Sequence, residues 1–271
     1  MPELPEVEVV RGGLEPLLVG RRLHSAVCHR DGLRYPLPDL SRLEGRCLTA
    51  LRRRAKYLLF GFDEDMLLAW HLGMTGQFHV LPEDKPRQPH EHVRLVFDDG
   101  QALVYRDARR FGYAGLLAAR DLAGHPWFAK LGPEPLEGDF DAAYLVQACR
   151  GRKRPIKSVL MDARIVVGVG NIYACESLFR AGIHPARAAG RISSLRLARL
   201  VECIRDVLTE AVAAGGSSIR DFVHADGRPG YFAHDFRVYG REGEPCIVCG
   251  EPIRRLVQAG RSSFYCRGCQ R

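Results

Sequence analysis

The sequence predicts an α+β fold in more than one domain: a strand-rich N-terminal half, a helical stretch after it, and a metal-bound ribbon at the C-terminus. Three observations carry this. Short apolar segments alternate with turns between residues 22 and 117, a Pro- and Gly-rich stretch occupies 131–139, and four cysteines form two C-x2-C pairs near the end. With 271 residues and 46% hydrophobic side chains, the chain exceeds one typical domain and can fill conventional cores, so at least two domains are expected.

The chain begins MPELPEVEVV. Leu4, Val7, Val10 or Arg11, Leu14 and Leu17 fit one face of a helix, with Pro5 in its first turn and Glu3 and Glu6 at the positive end of its dipole. The segments RLHSAVCH, KYLLFGF, MLLAWHL, QFHV, HVRLVF, ALVYRD and FGYAGLL then read as strands. Val93, Leu95 and Phe97 alternate before the turn Asp98-Asp99-Gly100 and a return through Leu103 and Tyr105. Strands so short and so spaced suggest a β-sandwich or a barrel.

LGPEPLEGD at 131–139 marks a domain boundary. Beyond it Leu197, Leu200, Val201, Ile204, Val207, Leu208 and Ala211 form a helical apolar stripe with Ser193 or Ser194 as N-cap. A polar, glycine-bearing stretch from Gly215 to Gly230 reads as a loop around a short helix.

No run of about 18 apolar residues exists, and no basic stretch followed by an apolar one opens the chain, so neither membrane insertion nor export is expected and the location predicted is cytoplasmic. A formal charge of +8 points to a polyanionic partner. Five of the 40 Lys and Arg residues are lysines, which also fits a compositional bias. Arg52, Arg53, Arg54 and Lys56 cluster, as do Arg150, Arg152, Lys153, Arg154 and Lys157; each cluster is a nucleic-acid contact or a solvated face.

Nine cysteines without an export signal argue for reduced thiols or metal rather than disulfides. Cys28, Cys47, Cys149, Cys175 and Cys203 stand singly and read as buried thiols. Cys246, Cys249, Cys266 and Cys269 have the spacing of a tetrahedral zinc site, and four sulfur ligands leave no place for water, so this Zn2+ is structural. In VVGVGNIYACESLF, Gly168 and Gly170 precede Asn171 as N-cap, a tight turn or a phosphate cradle. HLGMTG, with His71 and Met74, and RDARRFG, with Arg109, Arg110 and Phe111, place apolar side chains beside arginines; these fit core positions or wedges into an unstacked duplex.

Taken together, PELPEVE, RRRAKYLLF, HLGMTG, DARRFG, LGPEPL, VVGVGNIYACE, DGRPGYF, VYGREGEPC and the terminal ribbon resemble, in order along the whole chain, the bacterial formamidopyrimidine-DNA glycosylases. The resemblance implies an N-terminal β-sandwich with its leading helix over 1–131, a helical domain with a helix-two-turns-helix motif over 132–240, and a zinc-finger hairpin over 241–271. It implies a monomer that binds double-stranded DNA containing oxidised bases or abasic sites, in the cleft between domains. The activity implied is excision of 8-oxoguanine and formamidopyrimidines, followed by cleavage of the abasic strand.

The same resemblance assigns the nucleophile to Pro2, the general acid and base to Glu3, and a supporting acid to Glu6. Lys56 and Lys157 approach the lesion, His90, Asn171 and Arg261 contact phosphates, and Met74, Arg109 and Phe111 fill the vacated stack. The loop from Gly215 to Tyr231 covers the flipped base. Ala108 stands where relatives often have proline, which predicts a looser arginine loop.

Physical chemistry supports an amine nucleophile independently. An α-amino group, with a pKa of about 7.7 to 8.0 against about 10.4 for lysine, holds roughly a few hundredfold more neutral amine at pH 7. Proline's more basic nitrogen reduces that advantage, and the helix dipole partly restores it. Pro2 is a free secondary amine only once Met1 is removed. Two rival readings are an endonuclease VIII-type glycosylase for oxidised pyrimidines and a catalytically silent DNA-binding protein.

Overall fold

A computed structural model describes residues 1–216 and 236–271. The loop expected to cover a flipped base falls, from residue 217 on, outside the described residues. The chain forms two compact units, one from Met1–Ala129 with the segment that starts at Gly215, the other from Lys130–Ala214 with the C-terminal segment to Arg271.

The first unit opens with helix α1 (Leu4–Leu18). Glu3 is its N-cap, and a reciprocal capping box joins Glu3 and Glu6, in which the Glu3 N–H donates to Glu6 Oε2 at 2.7 Å. Val7, Val10, Leu14 and Leu18 face the core, whereas Leu17 is 38% exposed. The expected stripe thus ends one residue later than the sequence spacing suggested, because a 3.6-residue repeat carries Leu18, not Leu17, back under Leu14.

Two four-stranded antiparallel sheets follow. One has the order β1 (Leu23–Cys28), β6 (Glu91–Phe97), β7 (Gln101–Asp107), β5 (Gly76–Pro82). The other runs β2 (Leu48–Arg54), β3 (Tyr57–Phe62), β4 (Met66–His71), β8 (Tyr113–Ala118). Phe60 and Trp70 of the second sheet meet Phe78 and Tyr105 of the first, with centroids 4.7 to 5.6 Å apart for Trp70–Tyr105, Trp70–Phe78 and Phe60–Phe78. One apolar core therefore lies between two sheets, the sandwich rather than the barrel.

Strand β2 is absent from the strands read in the sequence. Its second half is the arginine run, but Leu48 and Leu51 are buried and Arg53 turns to α1, donating to Glu8 Oε2 at 2.8 Å. That arginine braces a helix instead of presenting a free cation.

The second unit contains α2 (Ala142–Cys149), α3 (Ile156–Leu160), α4 (Asn171–Arg180), α5 (Ser194–Ala213) and the hairpin β9 (Arg254–Gln258)–β10 (Arg261–Tyr265). All seven apolar residues of the predicted α5 stripe are buried, against α2 and α4. Ser193 is the N-cap of α5 by position, without a side-chain bond. The N-cap of α4 is Gly170, not Asn171; Asn171 is the first helical residue, which frees its amide for other partners. Of the single cysteines, Cys149, Cys175 and Cys203 are buried as expected, while Cys28 is exposed and Cys47 half-buried. Among the described residues no helix is long and apolar enough to cross a membrane.

Candidate active site

The start of α1 assembles the first group of candidate residues. Pro2 is buried, and Glu3 and Glu6 are 3% and 1% exposed. With Met1 in place, the α-amino group lies below its ordinary pKa. Burial is the main cause; Glu3 and Glu6 pull the value up, and Lys56 and Arg109 push it down. Two carboxylates and two cations, from the start of α1, the β2–β3 turn and the loop after β7, thus act electrostatically on the chain's first amine. Gly216 backs this group, since a Cβ there would meet Glu6 Cα at 3.4 Å.

Next to Lys56 lies His71, the last residue of β4. Burial, with Lys56 and Arg34 adding to it, pushes its imidazole down to about 4. The Gly73 N–H donates to His71 Nδ1 at 3.0 Å, so the neutral ring carries its proton on Nε2. The ring stacks on Tyr113, centroids 4.9 Å apart, whose hydroxyl lies 2.7 Å from that of Tyr57.

Met74 and Phe111 are 36% and 42% exposed, and the Arg109 guanidinium carbon sits 4.9 Å from the Phe111 ring centroid. These side chains are not core, which removes the alternative the sequence left open. His90 is exposed just before β6 with φ of 62°, the left-handed region that is uncommon for non-glycine residues but in which histidine is enriched.

The second unit holds the remaining candidates. Lys157 on α3 is 1% exposed, and its ammonium donates to Asn171 Oδ1 at 2.6 Å, Ser262 O at 3.0 Å and Ser263 Oγ at 2.7 Å. The structure therefore places Lys157 inside the protein, joining α3 and α4 to the ribbon. With Oδ1 so engaged, the Asn171 amide nitrogen is directed to the Tyr239 hydroxyl at 3.5 Å. Arg261 is exposed at the start of β10, after the turn Ala259-Gly260, whose φ values are 47° and 72°.

Sequence reasoning missed Glu176. This 6% exposed carboxylate accepts the N–H groups of Arg237, Val238 and Tyr239 at 2.8 to 3.0 Å, fixing the chain where the described residues resume. A glutamate as the one charged residue of the helical stretch NIYACESLF was its only signal.

The four ribbon cysteines lie with their sulfurs within 4.8 Å of one another, Cys246–Cys269 at 3.9 Å and Cys249–Cys266 at 3.3 Å. Tetrahedral zinc with bonds of about 2.3 Å needs sulfur separations of about 3.8 Å, so the donor set fits. Burial raises the Cys246 thiol, but hydrogen bonds from the Val248 and Cys249 N–H groups, together with those from the Cys266 and Cys249 side chains, outweigh it and bring it to about 7. These residues hold one structural zinc.

Comparison with known proteins agrees along the chain. The formamidopyrimidine-DNA glycosylase N-terminal domain model matches residues 1–114, its H2TH domain model 131–223, and a zinc finger found in FPG and IleRS 243–271. The chain belongs to the formamidopyrimidine-DNA glycosylase family. It is 53% identical to the formamidopyrimidine-DNA glycosylase of Thiobacillus denitrificans over the whole of both chains. The crystal structure of the MutM (Fpg) protein from Thermus thermophilus superposes with a TM-score of 0.89 at 42% identity, covering 99% of this chain and 98% of that one. The Lactococcus lactis Fpg, 34% identical with 99% of each chain covered and a TM-score of 0.91, has been solved with N7-benzyl-Fapy-dG DNA and with DNA containing an oxidised pyrimidine.

Proposed function

We propose that this chain is a bifunctional DNA glycosylase and abasic-site lyase of base excision repair, which removes 8-oxoguanine and formamidopyrimidines through Pro2. The observation that carries this reading is the placement of the buried Pro2 beside Glu3 and Glu6, with Lys56 and Arg109 also acting on the amine one residue before it. Once Met1 is removed, the neutral secondary amine of Pro2 can attack the anomeric carbon.

Met1 is first removed, which frees the Pro2 nitrogen. That nitrogen attacks C1′ and the base departs with the C1′–N electron pair, taking up the proton that the amine gives up; the nitrogen lone pair then opens the ring C1′–O bond to form the iminium, and Glu3, protonated, delivers a proton to the ring oxygen. The resulting iminium withdraws electrons from C2′, and Glu3, now a carboxylate, takes the C2′ proton as the 3′ phosphate leaves; a second elimination releases the 5′ phosphate. Water then hydrolyses the imine and restores the amine. Glu6 holds the Glu3 backbone through the capping box. Zinc supplies no step and keeps the ribbon folded.

His90, Asn171 and Arg261 bind phosphates, with Lys157 holding Asn171 in place rather than touching DNA itself. Met74, Arg109 and Phe111 replace the extruded nucleotide, which has to leave the stack because the anomeric carbon is inaccessible within the duplex. The chain acts as a monomer in the cytoplasm, with segments 1–131, 132–240 and 241–271 supplying nucleophile, DNA grip and ribbon.

Borohydride trapping tests this. Processed protein gives a covalent adduct with abasic DNA, and protein extended by one residue before Pro2 gives none. A processed wild type that gives no adduct overturns the reading. The oxidised-pyrimidine complex of the Lactococcus relative keeps a second substrate class in play. Duplexes carrying 8-oxoguanine or thymine glycol separate the two, and cleavage of thymine glycol alone overturns the purine assignment.

A further inference from the structure

We infer that Asp107 is a positioning residue that binds Met74, Arg109, Phe111 and His90 into one rigid wedge; this deepens the glycosylase reading and rests on it. Asp107 ends β7 and is 1% exposed. Its Oδ1 accepts from the Thr75 hydroxyl at 2.5 Å and the Arg109 N–H at 3.2 Å. Its Oδ2 accepts from the Gly112 N–H at 2.8 Å and the Tyr105 hydroxyl at 3.2 Å. The backbone takes part too: the Asp107 N–H donates to His90 O at 3.0 Å, and its carbonyl lies 2.8 Å from His92 Nε2.

Each element that carries an inserting side chain is therefore tied to one carboxylate. Thr75 follows Met74, Gly112 follows Phe111, and the Arg109 N–H is bound directly. His90, held at positive φ, is bound through its own carbonyl. A buried carboxylate is stable only when its oxygens are satisfied, and here four donors from three parts of the chain satisfy them. Asparagine cannot substitute, because its NH2 would face a donor on either side.

The same point is closed sterically. A Cβ at Gly73 would collide with the backbone of Phe111 and Gly112, and one at Gly76 or Gly112 with the Tyr105 hydroxyl. The two loops touch backbone to backbone, with Tyr105 beneath them. This also accounts for Ala108: the loop lacks a proline ring, but the Arg109 N–H is shared between Thr75 Oγ1, at 3.1 Å, and Asp107.

A wedge has to resist the stack it opens, where unstacking costs a few kcal/mol per step. Loosening it impairs extrusion while leaving the amine chemistry intact on a nucleotide that is already outside a helix. The test uses processed, zinc-loaded full-length protein with Asp107→Asn and, separately, Thr75→Val. Stopped-flow fluorescence of 2-aminopurine opposite the lesion reports insertion, 8-oxoguanine release reports duplex excision, and borohydride trapping on a single-stranded abasic oligonucleotide reports chemistry alone.

In both variants insertion and duplex excision fall about tenfold or more, as for loss of a hydrogen bond to a charged group, and single-strand trapping stays at the wild-type rate. Insertion at the wild-type rate overturns the inference, and so does a parallel fall in all three signals. Thr75→Val decides alone if Asp107→Asn fails to fold, because it removes one hydroxyl from a half-buried loop residue. Failure of wild-type trapping instead overturns the glycosylase reading, a separate outcome.

Discussion

In the N-terminal unit Phe60, Trp70, Phe78 and Tyr105 pack ring to ring between two sheets, with α1 closing one side. The ribbon after residue 243 buries Ile253, Cys246 and Cys266 against Val238 and α4, and leaves Ile247, Val248 and Val257 more than half exposed. The first region has enough apolar burial to fold by the hydrophobic effect. The second does not, and its stability passes to metal ligation. The contrast extends to charge: the first unit sets acids and bases around its N-terminal amine, whereas the second uses Lys157 and Glu176 to fix an amide and a backbone segment.

Stripping the metal tests this contrast most severely. Structural zinc is worth about 10 kcal/mol, so chelation or Cys249→Ser abolishes ribbon order and duplex binding. Both tryptophans, Trp70 and Trp127, lie in the first unit, so near-ultraviolet dichroism and fluorescence keep their native form. Loss of the tryptophan signature along with the ribbon would show that the two regions do not fold by separate means. The converse change, Trp70→Ala, empties a fully buried site and destabilises the first unit by about 3 to 5 kcal/mol in thermal or urea melts, while zinc content is unchanged.

A third test separates buried from surface cations in the second unit. Lys157→Met weakens duplex binding about tenfold by disordering Asn171, but leaves the dependence of affinity on salt unaltered, since an ammonium 1% exposed displaces no counterion. Arg261→Gln lowers the slope of log K against log salt by about 1. Equal slopes for the two variants would refute the difference.

A fourth test concerns His71. Its folded pKa, about 4, lies below the ordinary 6.5, so between these values the unfolded chain binds more protons than the folded one. Stability of the first unit therefore falls as pH drops from about 6.5 to 4, and His71→Gln gives a shallower loss over that window in acid titrations followed by tryptophan fluorescence.

Regular periodicity made much of the fold legible. The α5 stripe, the β6–β7 hairpin with Gly100 at φ of 77° and the cysteine quartet were readable because each repeats a local rule. Strand β2 was hidden because its core-facing Leu48 and Leu51 sit among arginines that face α1 and solvent. The buried state of Lys157 was not legible because its partners Ser262 and Ser263 lie more than a hundred residues away, and no local pattern announces a buried ammonium. Asp107 was invisible for the same reason, and Glu176 nearly so: what distinguishes them is the set of donors that folding brings to them.

The interlocked loops beneath the wedge also bear on how this scaffold can change. A Cβ at Gly73, Gly76 or Gly112 would meet a neighbour, at the last two the fully buried Tyr105, so the root of the wedge is closed to variation. The tips at Met74, Arg109 and Phe111 project into open space and can be exchanged without disturbing that root. A mutational library over these seven positions would therefore divide sharply, with preference for the base opposite the lesion adjustable at the tips and almost no viable sequence at the root.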